Sequence, residues 1–383
     1  MLEGERVALA VSGSIAAVKT VELAHELRRQ GAEVRAVMTD AARGIVHPWA
    51  LEFATDNPVV TEITGSVEHV ELCGYDGWAD VLLVAPSTAN TVGKVAAAVD
   101  DTPVTTTATT ALGAGVPTVL APAMHEPMYD HPGVLEALET LESWGVAFVD
   151  PRIEEGKAKI ASEEAIVLET ARAAGDRPLA GRHVVVTSGP TSEAIDPVRV
   201  ITNRASGRTG RAVAKACYAR GADVTLVHDG PEVPYAETLA VESAAEMLEA
   251  VSSVAADAVV SAAAIGDYTV ETADEKIRSG QELTLELEPT PKLIDSVRAD
   301  HPDLPIVGFK LETAGDDAAM VEAARETLER VDLSFVVAND ASVMGEATTR
   351  VLVVRADGTS TYEGSKAEIG GRVAEELAAE LDG

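Results

Sequence analysis

The chain has 383 residues, too many for one ordinary hydrophobic core, so two α/β domains are expected. Its 63 Asp and Glu against 30 Lys and Arg give a formal net charge of −33, which disfavours nucleic acid and anionic membranes as partners. No apolar run approaches the roughly 18 residues of a spanning helix, Met1-Leu2-Glu3-Gly4-Glu5-Arg6 has no signal-peptide pattern, and Cys73 and Cys217 make neither a disulfide framework nor a CxxC metal site, so a soluble cytoplasmic protein is expected.

In chain order, Arg6 to Val11 reads as a strand running into Ser12-Gly13-Ser14-Ile15-Ala16-Ala17. A helix to Gln30, a stop at Gly31 and a strand from Glu33 to Met38 follow, the opening of a doubly wound domain. The first loop is not GxGxxG, which disfavours a dinucleotide dehydrogenase. Further polar loops are Met38-Thr39, Ala85-Pro86-Ser87-Thr88-Ala89-Asn90 and the stretch from Asp100 to Thr107. Each alone reads as a turn or cap; together, at carboxyl ends of strands, they can converge at a switch point and offer hydroxyls and amides to one phosphate. His69, in Glu68-His69-Val70-Glu71-Leu72, is an imidazole suited to proton transfer near neutrality, although a lone histidine is more often a surface residue. Pro122-Ala123-Met124-His125 precedes Met128-Tyr129, and Gly156 within PRIEEGKAKIAS reads as a mobile charged lid. After a helix from Glu163 to Ala174, the turn-rich Gly175-Asp176-Arg177-Pro178-Leu179 divides the chain into domains 1–177 and 178–383.

The second half again alternates. Strands are expected near 183–187, 222–227, 257–260, 305–309, 334–337 and 350–354, with helices near 208–220, 243–256, 291–299, 315–330 and 366–381. Val184 to Gly210 is the most informative stretch: a β-branched strand ends at Ser188-Gly189-Pro190-Thr191. Asp196-Pro197-Val198-Arg199 then supplies an acid and a base, and Asn203-Arg204-Ala205-Ser206-Gly207 opens an alanine-rich helix. A helix N-terminus beside Gly, Ser and Arg can hold an anion, and the plainer reading is a Ser-capped turn. Further patches sit at expected strand ends: Ala262-Ala263-Ala264-Ile265-Gly266-Asp267-Tyr268, Glu275-Lys276-Ile277, Thr290-Pro291-Lys292, Gly308-Phe309-Lys310 and Ala338-Asn339-Asp340.

S-G-P-T, D-P-V-R and N-R-A-S-G, in that order, resemble the signature of phosphopantothenate:cysteine ligase. That enzyme is the second half of a bifunctional coenzyme A biosynthesis family whose first half is phosphopantothenoylcysteine decarboxylase, and the resemblance continues along almost the whole chain. It implies two doubly wound, Rossmann/flavodoxin-like α/β domains, the first of the flavin-containing cysteine decarboxylase type. It also implies small-molecule substrates and a homo-oligomer, with trimeric decarboxylase and dimeric ligase contacts. FMN would be bound by Gly13, Ser14, Ile15, Thr39, Ser87, Thr88, Asn90 and Thr105. His69 resembles the active-site base, and Met124 with His125 the substrate motif, where His125 stands in place of the usual Asn. In the ligase half the resemblance places CTP at Gly189, Ser206, Gly207, Ala263, Asp267, Lys276, Pro291, Lys292, Phe309 and Arg330. Asp267 is also the candidate ligand for Mg2+, Asn203 the contact for the acyl-phosphate oxygens, and Lys276 the stabiliser of charge around the cytidylate.

Three departures stand out. Residues 151–162 lack the family's clamp cysteine, so Cys73 is taken as the replacement proton donor, with Lys157 and Lys159 as rivals. A lysine pair usual before A-N-D is missing, Arg330 lying near one position and Glu326-Thr327 near the other, and Ala205 stands where Ser is common. The expected activity is CTP-dependent ligation of cysteine to 4'-phosphopantothenate followed by FMN-dependent decarboxylation to 4'-phosphopantetheine; the alternative is a ligase with a catalytically silent flavin-binding half. Only nine Lys stand against 21 Arg, and with acids spread along the chain this composition resembles that of salt-adapted, halophilic proteins.

Overall fold

In the computed structural model, residues 1–154, 157–280, 282–312, 316–340 and 348–382 are described. Contacts divide the chain into two units, Met1–Asp176 and Arg177–Gly383, each with its own sheet.

Unit 1 runs β1 (Arg6–Val11), a 3-10 turn (Ile15–Lys19), α1 (Thr20–Arg29), β2 (Glu33–Met38), α2 (Asp40–Arg43), α3 (Pro48–Thr55), α4 (Glu68–Cys73), β3 (Val81–Ser87) and α5 (Ala89–Ala96). It continues with α6 (Pro103–Ala114), β4 (Thr118–Pro122), β5 (Met124–His125), α7 (Glu126–Tyr129), α8 (Pro132–Ser143), β6 (Ala147–Phe148), β7 (Arg152–Glu154), β8 (Lys157–Lys159) and α9 (Glu163–Ala174). The main sheet has the order β2-β1-β3-β4-β6 and is parallel throughout. Because successive side chains on a strand point to opposite faces, Val7, Leu9 and Val11 enter one apolar cluster while Ala8 and Ala10 enter another. Helices cover both faces, which is why these strands are continuous apolar runs.

Unit 2 contains β9 (His183–Thr187), β10 (Ser192–Asp196), β11 (Arg199–Thr202), α10 (Arg208–Ala219), β12 (Asp223–His228), β13 (Glu237–Ala240), α11 (Ala244–Ser253) and β14 (Ala258–Ser261). It then adds β15 (Tyr268–Val270), β16 (Leu287–Pro289), α12 (Leu293–Asp300), β17 (Ile306–Glu312), α13 (Asp317–Val331), β18 (Phe335–Asp340), β19 (Thr348–Val354), β20 (Thr359–Ser365) and α14 (Lys366–Leu381). The sheet order β13-β12-β9-β14-β17-β18-β19-β20 places β9 beside both β12 and β14. The order reverses at β9, so a crevice opens at the carboxyl ends of β9 and β14. The last two strands are antiparallel, a meander added to an otherwise parallel sheet.

The expected strands and helices of the second half are present. The stretch expected as one loop after β9 instead contains the β10–β11 hairpin, with Asp196-Pro197-Val198-Arg199 as its turn. The lid expected around Gly156 is flanked by β7 and β8, and β8 pairs with β5. Glu155 and Gly156 themselves lie outside the described residues.

Candidate active sites

In unit 1 the expected cofactor residues line the carboxyl edge of the sheet. Ser12 joins the first two loops: its hydroxyl donates to Pro86 O at 2.7 Å and accepts from Thr88 N at 3.2 Å. Thr39 N donates to Val11 O at 3.1 Å, and Ser14 Oγ reaches Ala123 O at 3.4 Å, so four strand ends share one neighbourhood. Gly13 has room for nothing larger, since a Cβ there would lie 2.4 Å from Ala41 Cβ.

Most of the predicted hydroxyls also cap helices. Ser14 accepts from Ala16 N at 3.3 Å, Thr39 from Ala42 N at 3.1 Å and Thr88 from Thr91 N at 3.2 Å. Thr102 and Thr105 form a reciprocal capping box on α6. Ile15 and Asn90 are exposed beside them. Ser87 differs: it is fully buried at the end of β3, and its Oγ has no partner among the described residues. His69 on the first turn of α4 likewise keeps a buried, unpartnered Nδ1. Buried polar atoms of this kind call for a bound group or water to complete them. The loops at this edge therefore leave polar positions that a bound cofactor can complete.

Met124 and His125 form β5, directly paired with β8. Cys73, the candidate replacement proton donor, sits in the core of unit 1. It lies at the end of α4, is completely buried among Leu72, Ala79 and Leu82, and burial pushes its thiol up to about 12. Cys217 is equally buried, in the other unit, so both thiols are enclosed in cores.

In unit 2 the sequence patches meet at the crevice. Thr187 Oγ1 accepts from Ala263 N at 3.1 Å, and Ala264 N donates to Gly189 O at 2.9 Å. Asn203 Nδ2 donates to Ala264 O at 2.6 Å while its Oδ1 accepts from Ala205 N at 3.0 Å. Thr191 Oγ1 accepts from Gly266 N at 2.8 Å, and Thr290 closes the third side, its hydroxyl donating to Gly266 O at 2.5 Å and its amide to Asp267 O at 3.0 Å. Lys292 pairs with Asp267 at 2.6 Å, both exposed.

Ser206 does not cap α10. The N-cap is Gly207 with φ +66°, no side chain caps the helix, and its first turn carries no acid, so its first-turn amides are left without a side-chain acceptor. Gly207 and Gly210 allow the helix to come this close: a Cβ on Gly210 would sit 2.8 Å from Thr187 O, and one on Gly207 2.9 Å from Gly189 N. Ser188 Oγ, donating to Gly207 O at 2.8 Å, ties helix to strand. Phe309 and Lys310 extend β17 beyond its pairing with β14 and lie beside Val337 and Ala338 of β18, with Asn339 one position further on. Pro291 precedes Lys292 at the start of α12.

Lys276 is exposed on the segment after β15. Arg330, on the last turn of α13, is bound to Asp295 in the first turn of α12, three residues after Lys292. Sequence reading missed Glu193. It is buried on β10, accepting from Ala244 N at the start of α11 and from the Thr269 hydroxyl, both at 2.9 Å.

Two doubly wound units in tandem, each gathering polar loops at the carboxyl edge of its sheet, define a two-domain α/β protein with one candidate site in each unit. A family model described as Flavoprotein matches residues 1–175, and one described as the DNA/pantothenate metabolism flavoprotein C-terminal domain matches residues 179–381. The chain is 51% identical over 364 residues to the coenzyme A biosynthesis bifunctional protein CoaBC of Thermococcus kodakarensis, covering 93% of this chain and 90% of that one. It is 36% identical over 385 residues to the protein of the same name from Methanocaldococcus jannaschii, covering 98% and 94%. A crystal structure of the C-terminal domain of a CoaBC protein is 30% identical, with a TM-score of 0.46, and covers 54% of this chain and 99% of that one. The chain belongs to the family of bifunctional coenzyme A biosynthesis proteins, and it carries the family's phosphopantothenate–cysteine ligase and phosphopantothenoylcysteine decarboxylase activities.

Proposed function

We propose that residues 178–383 join cysteine to 4'-phosphopantothenate through an acyl-cytidylate made from CTP, and that residues 1–177 decarboxylate the product with FMN held at the loop edge of unit 1. The observation that supports the ligase reading most is the Asn203–Ala264 hydrogen bond of 2.6 Å, which joins the turn before α10 to the loop after β14. It sets the two loops on either side of one crevice, as attack of a carboxylate on a nucleotide phosphate requires.

Both reactants are anions, so the barrier is dominated by charge gathering at the α-phosphate. Amides at the start of α10 and Asn203 would hold the acyl-phosphate oxygens, and Lys276 would meet the charge as the cytidylate forms and breaks down. Lys292 is held by an exposed carboxylate, a weak pair that can exchange Asp267 for a phosphate. Among the described residues no three His, Cys, Asp or Glu converge on a metal site. Mg2+ fits here as an ion carried mainly by the nucleotide, with Asp267 as its one protein carboxylate. Ala263 and Phe309 would border the nucleotide.

In unit 1, FMN when bound supplies an electron sink for the cysteinyl end of the substrate. Ser87 Oγ and the loop amides around Gly13 and Thr88 would hold it. His69 would take or orient the thiol proton, and Met124 with His125 would place the carboxylate that leaves. Burial of both cysteines favours a proton donor other than a thiol for completing the product.

The test is an assay of both half-reactions in the intact protein. CTP with Mg2+ should give pyrophosphate and CMP; better turnover with ATP, or release of ADP and phosphate, would end the cytidylate assignment. Asn203→Asp should abolish ligation while decarboxylation of supplied phosphopantothenoylcysteine continues, and His69→Asn should do the reverse. Loss of both activities in either folded variant would refute separate sites.

A further inference from the structure

Asp196 has a fully buried side chain, and its carboxylate collects five donors. Oδ1 accepts from Val198 N at 2.9 Å and Arg199 N at 3.0 Å, an arrangement that closes the hairpin turn. Oδ2 accepts from Arg199 Nε at 3.0 Å, from Arg199 Nη2, and from Ile277 N at 3.0 Å. Arg199 Nη2 also donates to Ile277 O at 2.8 Å. The pair thus grips one distant residue by both its N–H and its C=O.

The gripped residue directly follows Lys276. Upstream, Thr272 Oγ1 donates to Ala194 O at 2.9 Å and Ala273 N to Ile195 O at 3.0 Å, laying the segment along β10. Between Ala273 and Ile277 the segment belongs to no helix or strand. A lysine side chain is long and rotates freely, so the reach of its ammonium is set by where its backbone is fixed. Burying a carboxylate costs several kcal/mol unless its partners repay it, and here Arg199 and the amides hold Asp196 ionised, its carboxyl well below the usual carboxylate range. A turn could be closed with less. Closing it around Ile277 gives the buried charge a second task.

We propose that Asp196 and Arg199 form a latch that positions Lys276 for ligation, fixing the Lys276–Ile277 peptide against the hairpin so that the ammonium is presented to the crevice. The inference rests on the reading of Lys276 given above. Asp196 and Arg199 touch no reactant; they are positioning residues.

The experiment uses the full chain with CTP, Mg2+, 4'-phosphopantothenate and cysteine. Asp196→Asn replaces an acceptor oxygen by a donor, and Arg199→Lys keeps the charge but loses the fork that reaches Ile277; the second serves if the first does not fold. Each should lower the ligase kcat by about 10- to 100-fold, the scale of a misplaced catalytic group, with the KM values changed less than about threefold. Amide exchange at residues 273–279 should quicken while β9 and β14 stay protected. Added to Lys276→Gln, Asp196→Asn should cause no further loss, because both act through one group. Losses that multiply in the double variant, or a fall in kcat with unchanged exchange at Ile277, would overturn the latch while leaving Lys276 in place. Full ligation by Lys276→Gln alone would remove Lys276 from the chemistry and the latch with it.

Discussion

Cys73 and His69 are four residues apart on α4 and so share its inner face, but only the histidine is on the turn nearer the loops. His69 resembles the active-site base, and a thiol only four residues on is attractive as an acid. Helical geometry gives it another place: the last turn of α4 carries Leu72 and Cys73 into the core, where desolvation disfavours the thiolate. Exposure decides whether a thiol can serve, and exposure is not written in spacing. Cys73→Ser should therefore leave phosphopantetheine as the product and lower the stability of unit 1 by about 1–3 kcal/mol, the cost of a buried hydroxyl without a partner. Product mass spectrometry and a denaturant titration check both. An oxidised enethiol product accumulating in this variant would reinstate Cys73 as the proton donor. Ser87 shows the opposite case, a residue named by motif whose unpartnered buried Oγ gives the motif a physical reason.

Among the elements, two strands of unit 1 and six of unit 2 were legible, chiefly because parallel strands buried on both faces are runs such as Val184-Val185-Val186, which little else explains. The β10–β11 hairpin was not, because its inward positions hold Glu193 and Asp196, acids that a pattern reader assigns to solvent. Their burial is made tolerable by partners more than 50 residues away, Ala244, Thr269 and Ile277, and such pairing leaves no local trace. Arg330, which the resemblance puts near one position of the family's lysine pair, is joined to the first turn of α12 through Asp295. The α10 start is where sequence and structure agree in detail, and it yields a test. An alanine at 210 would put Cβ 2.8 Å from Thr187 O and 2.7 Å from Ser188 Cβ, so α10 must back away from β9. Gly210→Ala should cost about 1–3 kcal/mol, the usual scale of overpacking, and raise the ligase KM for 4'-phosphopantothenate at least severalfold. Decarboxylation in unit 1 should be untouched. A normal melting curve with a normal KM would mean that the helix start has slack the structure does not show.

At the scale of the whole molecule the governing quantity is charge. With 63 acids and 30 bases, pairing every base still leaves 33 acids unmatched, and these repel one another more closely in the folded state than in the expanded chain. The bases are already engaged in part: Arg29 with Glu22 and Glu26, Arg350 with Asp317, Lys94 with Asp101 and Arg372 with Glu375 are ion pairs near the surface. Exposed pairs contribute little each, on the order of 0–1 kcal/mol, and salt weakens them. Salt also weakens the repulsion, shortening the screening length from about 10 Å at 0.1 M to about 3 Å at 1 M. The two effects oppose, and the excess of unmatched acids decides the sign. Raising KCl from 0.1 to 1 M should therefore raise the melting temperature of both units, most steeply at the low end where screening changes fastest. An uncharged osmolyte of equal osmolality separates screening from general exclusion at the surface, because it leaves the charges unscreened. A melting temperature that stays level or falls with KCl would mean that the surface ion pairs outweigh the repulsion, and the acid-rich composition would then need an explanation other than salt.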